Sequence, residues 1–176
     1  MAYIYIQPIK TEYDQWFEAL DKAVYSVFGY HTKIGNLNID LDKAFDPVRH
    51  QYSSSQLLLQ IISKPLTDAV KVLGVANVDL FIPVLTFVFG EAQLQGVASV
   101  ISLHRLNNVF YGIPENKRLL KERLVKEVIH ELGHNFGLIH CSNQSCVMKS
   151  STYVEDVDQK SEEMCGRCQE LLRGLL

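Results

Sequence analysis

The chain reads His130-Glu131-Leu132-Gly133-His134-Asn135-Phe136-Gly137-Leu138-Ile139-His140 through the segment that organises everything around it. His130 and His134 are four residues apart, so on a helix they share one face and can reach a single metal ion, with Glu131 close enough to act on a water held there. If the helix simply ran on, six residues at about 1.5 Å each would carry His140 roughly 9 Å along the axis and onto another face. The chain must therefore turn after His134. Gly137 stands where the turn is needed, because glycine tolerates the left-handed conformation that ends a helix, and His140 can then swing back to the same ion. Three imidazoles and one carboxylate in this pattern point to a hydrolytic zinc centre.

Upstream, Leu120, Leu124, Val128, Leu132 and Phe136 form an apolar stripe, while His130 lies about 200° around the helix from Val128 and His134 about 200° from Leu132. The spacing predicts a helix from about Pro114 that packs one face on a sheet and turns its metal ligands toward a cleft. Lysines and arginines at 117–126 alternate with apolar positions and read as a solvated face of that helix.

Earlier elements alternate between strand and helix. Residues 2–8 read as a strand ended by Pro8; Thr11 with Asp14 resembles a helix start, and Trp16, Phe17, Leu20, Ala23, Val24, Val27 and Phe28 recur at helical spacing up to Gly29. A second strand is expected over 30–39 and an acidic loop over 40–46, closed by Pro47. A second helical region opens at Leu57, is kinked or divided by Pro65 and ends at Gly74. Strands are expected at 78–82, 85–89 and 96–103, with one of the last two as an exposed edge beside the cleft. The alternation argues an α/β fold with a twisted mixed sheet.

All four cysteines fall late: Cys141, Cys146, Cys165 and Cys168. Two close pairs eighteen residues apart match a closed four-thiolate zinc site; two disulfides and a redox Cys-x-x-Cys are the alternatives. The segment after Gly137 is short and poor in large apolar side chains between Lys149 and Glu163, so a second, structural zinc would hold it. Cys141 directly follows His140, and neighbouring side chains of an extended segment point opposite ways, which would couple the two metal sites.

The 176 residues are enough for one domain with a substantial core. A net charge of −3 and a pI near 6.1 give no electrostatic case for nucleic acid. The N-terminus has no basic, apolar leader pattern and no segment approaches twenty uninterrupted apolar residues, so we expect a cytoplasmic protein without a pro-segment or a membrane partner.

The extended H-E-x-x-H-x-x-G-x-x-H motif resembles that of the metzincin zinc peptidases. The adjacent His140-Cys141, the run from Cys141 through Cys146 to Met148 and the later Cys165-x-x-Cys168 are similar to the archaemetzincins in particular. The resemblance implies a metzincin-like fold: an upper subdomain over 1–137 with the sheet and active-site helix, and a small zinc-stapled lower subdomain over 138–176. It implies that His130, His134 and His140 bind a catalytic zinc, that Glu131 is the general base for a zinc-bound water, and that Met148 forms the turn beneath the histidines. Cys141, Cys146, Cys165 and Cys168 would hold the second zinc. The expected molecule is a monomer acting on a peptide or protein substrate. The rival readings are a zinc-stabilised peptide-binding module with little turnover and a cysteine-based interaction protein.

Overall fold

In a computed structural model, described for residues 2–11, 14–64 and 66–176, the chain builds a five-stranded sheet with helices on both faces. The elements are β1 (Tyr3–Ile9), α1 (Asp14–Phe28), β2 (Thr32–Ile34), β3 (Phe45–Asp46), β4 (Gln51–Ser53), α2 (Ser54–Ile62), β5 (Ala69–Ala76), β6 (Leu80–Phe81), β7 (Gly90–Ala92), β8 (Ala98–Ser102), α3 (Lys117–Phe136), α4 (Val154–Gln159) and α5 (Gly166–Arg173). The main sheet runs β2-β1-β5-β8-β7, parallel except for the antiparallel edge strand β7. A second, three-stranded sheet is ordered β3-β4-β6.

Strand periodicity divides the core. Ile4, Ile6, Leu73, Val75 and Ile101 face α1, α3 and the C-terminal segment. Ile9, Val72, Ala76, Ala98 and Val100 face the opposite way, against Leu57, Leu58 and Ile61 of α2. A mostly parallel sheet covered on both sides in this manner is the α/β architecture that the strand–helix alternation predicts. Among the described residues, no helix is long and apolar enough to cross a membrane.

Several expected boundaries move, each for a local reason. The region expected to stay helical up to Gly74 is instead strand β5, and Gly74 lies inside it. A Cβ there would come within 3.0–3.2 Å of methyls of Ile9, Ile61 and Val100, so glycine lets α2 press close to the sheet. The anticipated kink at Pro65 lies outside the described residues. β1 continues through Pro8 to Ile9. Ile6 turns its carbonyl toward β2, accepting from Gly35, and Pro8, two residues on, faces the same side beyond the end of β2, where no ladder donor is needed.

The second strand is only Thr32–Ile34, and the chain then leaves the sheet at Gly35, whose Cβ would collide with the Gln7 side chain. Between 40 and 46 the expected loop contains a turn of 3₁₀ helix and the short β3. Residues 78–82 contribute only the two-residue β6. Residues 85–89 are a loop whose backbone is claimed elsewhere: Arg49 donates to the carbonyls of Pro83 and Leu85, Gln51 to that of Thr86, and Val88 N–H to Leu80. The edge strand beside the cleft is β7, antiparallel to β8.

Of the basic residues of α3, Lys117, Arg118 and Lys121 are exposed as the sequence predicts, and the other two depart from it. Arg123 and Lys126 are buried, not solvated. Arg123 makes a bidentate pair with Asp158 at 2.7 Å and also donates to the Leu106 carbonyl; Lys126 donates to the carbonyls of Val157 and Asp158. The alternating pattern looked solvated because these partners are distant in sequence, Val157 and Asp158 of α4 some thirty residues later and Leu106 well before the helix.

Candidate metal centre and cleft

α3 starts at Asn116, whose side chain accepts from the Leu119 N–H, and packs through Leu124, Val128 and Leu132, all fully buried. It ends at Gly137 with φ +111°. The N–H of Gly137 donates to the carbonyls of Gly133 and His134, and that of Leu138 donates to Gly133. A Cβ on Gly137 would also lie 2.9 Å from the Gln95 side chain, whose backbone N–H caps the His134 carbonyl. The turn is thus fixed from within and by the β7–β8 connection.

It brings His130, His134 and His140 together, with one ring nitrogen from each within 4.8 Å of the others. His130 Nδ1 is 2.8 Å from the Val147 carbonyl and His134 Nδ1 is 2.7 Å from the Leu138 carbonyl. A carbonyl only accepts, so both Nδ1 atoms carry the proton and both Nε2 atoms present lone pairs. Those two Nε2 atoms stand 3.1 Å apart. Two ligands of a tetrahedral zinc at about 2.05 Å would be separated by ~3.3 Å, so the spacing fits that ion. Burial holds the His130 imidazole well below its ordinary range, with the nearby Lys160 charge adding to the effect. His134 and His140 are lowered as well, again chiefly by burial. Neutral imidazoles are the form that binds metal.

Glu131 is buried against the edge strand: a Cβ on Gly90 would lie 2.7 Å from its Oε1. Burial pushes its carboxyl well above the usual carboxylate range, Glu127 and Glu91 push it further, and Lys160 opposes them. Met148 is fully buried, with Sδ 2.5 Å from where a Gly133 Cβ would be.

The four cysteines form a second cluster, with all Sγ atoms within 4.8 Å. Cys141 and Cys165 sulfurs are 3.7 Å apart, far beyond a disulfide bond and close to the ~3.8 Å edge of a tetrahedron built on Zn–S bonds of about 2.3 Å. A backbone hydrogen bond from Cys168 leads the effects that lower the Cys165 thiol to about 7, whereas burial and the neighbouring thiols raise Cys168. The N–H groups of Asn143 and Cys165 donate to the sulfurs of Cys141 and Cys146. Cys141 N–H also donates to the Met148 carbonyl at 2.9 Å, which ties the two clusters together.

Between β7 and the 150–152 segment runs a cleft of ≈ 370 Å³ that touches His130, Glu131 and His140. A shallower hollow of ≈ 340 Å³ continues along Gly90–Ala92 past Leu94 and Ile139. His104, considered near this region from the sequence, meets Phe110 edge to face and lines neither hollow, and Tyr153 is exposed at the start of α4. Three contributors escaped the sequence reading. Gly90 and Gly133 each carry a legible signal, a glycine inside a regular element, which often marks a close approach. Glu127 sits one turn before Glu131 on the same face, but its ion-pair partner Lys160, at 2.9 Å and equally buried, is thirty-three residues away.

Three converging imidazoles, two from a helix under an antiparallel edge strand and one from beyond the turn that ends it, beside a buried carboxylate, make the donor set of a zinc metallopeptidase. The comparisons agree: the model of peptidase family M54 matches residues 42–174. The archaemetzincin of Methanocaldococcus jannaschii is 41% identical over 170 residues, covering 97% of this chain and 92% of its own. That of Archaeoglobus fulgidus is 35% identical over 97% of this chain and 98% of its own. The crystal structure of Methanopyrus kandleri archaemetzincin superposes with a TM-score of 0.87 at 32% identity, over 99% of this chain and 94% of the other. The chain belongs to peptidase family M54, the family of these archaemetzincins.

Proposed function

We propose that this metallopeptidase cuts peptide bonds with Glu131 as general base and then general acid, and that it uses two zinc ions per chain. His130, His134 and His140 would hold the catalytic ion, and Cys141, Cys146, Cys165 and Cys168 the structural one. Bound at the imidazoles, zinc supplies a Lewis acid and lowers the pKa of water toward about 7. Glu131 takes the proton of the attacking water and passes it to the leaving amine. Its high proton affinity, set by burial, suits the second half of that task. Gly90 keeps the edge strand clear of this carboxyl, and β7 leaves one side of its backbone free to align an extended peptide. Met148, packed against Gly133, supports the floor under the imidazoles, and the cleft separates an upper part over 1–137 from a lower part over 138–176.

The observation that carries this reading is the pair of Nε2 lone pairs held 3.1 Å apart beside a buried carboxylate. The test joins metal analysis to a peptide-library digest. Two zinc per chain and chelator-sensitive cleavage are expected, with Glu131→Gln retaining both ions and losing hydrolysis. Equal activity in Glu131→Gln would overturn its role; two zinc without cleavage by the wild type would favour a peptide-binding module.

A further inference from the structure

The end of the 370 Å³ cleft beside His130 and Glu131 is closed by a buried ion pair, Glu127 and Lys160, together with Ser151. Residues such as Leu85, Phe87 and Phe89 line the same cleft with apolar surface. The Lys160 ammonium has three protons. One points to the Lys149 carbonyl at 3.3 Å and the ionic contact to Glu127 Oε1 is 2.9 Å, which leaves donor capacity on the ammonium. The Glu127 contact is close but misaligned for a hydrogen bond, so Glu127 Oε1 is buried with no hydrogen-bond partner among the described residues. Ser151 Oγ, of another residue lining the cleft, is in the same condition.

We propose that this cleft is a subsite for a substrate carboxamide side chain, Gln or Asn, at one of the two residues flanking the cleaved bond. The inference rests on the peptidase reading above and names the substrate class of that site. The pair at the end of the cleft has no net charge, and a third charge brought into it would be buried without a partner of its own. An apolar side chain would leave Glu127 Oε1 and Ser151 Oγ, already shut off from water, unsatisfied. A carboxamide offers both halves of what is missing: its NH₂ donates to Glu127 Oε1, and its carbonyl accepts from Lys160 or Ser151. The apolar walls cover the methylene stem, and a cleft of this volume is too large for a Ser or Thr side chain to fill.

The zinc-loaded wild type is given a peptide library of balanced composition and its products are sequenced by mass spectrometry. In parallel, the zinc-loaded Glu131→Gln variant selects uncleaved peptides from the same library by equilibrium binding. Enrichment of Gln and Asn at one flanking position is expected, and replacing that residue by Leu should lower kcat/KM about ten- to hundredfold. The Lys160→Met, Glu127→Leu double variant removes both charges together, a change that buried pairs commonly tolerate, and should shift the preference to Leu or Met. Ser151→Val is the milder second variant and should weaken the carboxamide preference alone. Binding enrichment without cleavage by the wild type would sink the peptidase reading and keep the subsite. Preference for charged or apolar residues at both flanking positions, no enrichment in either experiment, or an unchanged preference in both the double variant and Ser151→Val would overturn the subsite.

Discussion

A methyl group on Gly133 would meet Met148 Sδ at 2.5 Å, and Met148 is fully buried, so the sulfur has little room to retreat. Gly133→Ala is therefore expected to overpack this point by about 1–3 kcal/mol, lowering the melting temperature by ~2–4 °C per kcal/mol, even though alanine is the better helix former. Adding Met148→Ala should recover part of the loss, and a double-mutant cycle in thermal unfolding measures it; strictly additive losses would show that the two do not compete for space. Glu131 bears a different strain. Its folded pKa lies well above the ordinary 4.5, so its stabilising contribution is complete below about pH 4.5 and is lost as pH rises through the folded value. In chelator-treated protein at pH 7, Glu131→Gln should raise the melting temperature. The gain should vanish near pH 4.5, and a gain independent of pH would refute the assignment.

At the scale of elements, α3 joins what the sequence could reveal to what it could not. Its apolar stripe and the metal-binding spacing were legible because both are local periodicities of 3.6 residues. Its buried Arg123 and Lys126 were not, since a basic residue is read as exposed unless the acceptor that satisfies it is known, and Asp158 and Val157 become neighbours only after α4 folds back. Strand β5 escaped similarly: Gly74 looked like a helix stop, while its use, admitting α2 to within van der Waals contact of the sheet, depends on Ile61 and Val100. The end of α3 was easier. Gly137→Ala forces φ +111° on a residue with a Cβ and presses it against Gln95, so a loss of about 1–2 kcal/mol or more is expected. Metal analysis should show weakened retention of the ion at His140 with the four-cysteine ion kept.

Across the whole molecule, one hydrophobic core runs from Ile4 and Leu20 through α3 to Val147, Val157 and Met164, so the parts above and below the cleft are packed as a unit. The histidine and cysteine clusters meet at consecutive residues, His140 and Cys141, and are bridged again through Met148. Cys165→Ser should release the structural ion and also reduce kcat, by about tenfold or more, because the segment that carries the Val147 carbonyl loses its anchor. Undiminished activity with a single bound zinc would show that the clusters work independently.

The Val147 backbone links the histidine motif to residues that are made later. Its carbonyl holds His130, while its N–H is held by the Glu163 carbonyl at 3.0 Å and its neighbour Cys146 waits for Cys165 and Cys168. During synthesis the histidine motif therefore emerges long before the parts that orient it. A chain ended before Glu163 would carry the three histidines and Glu131 without the backbone partner of Val147 or the later cysteines, and is expected to cleave peptides more slowly than the whole chain.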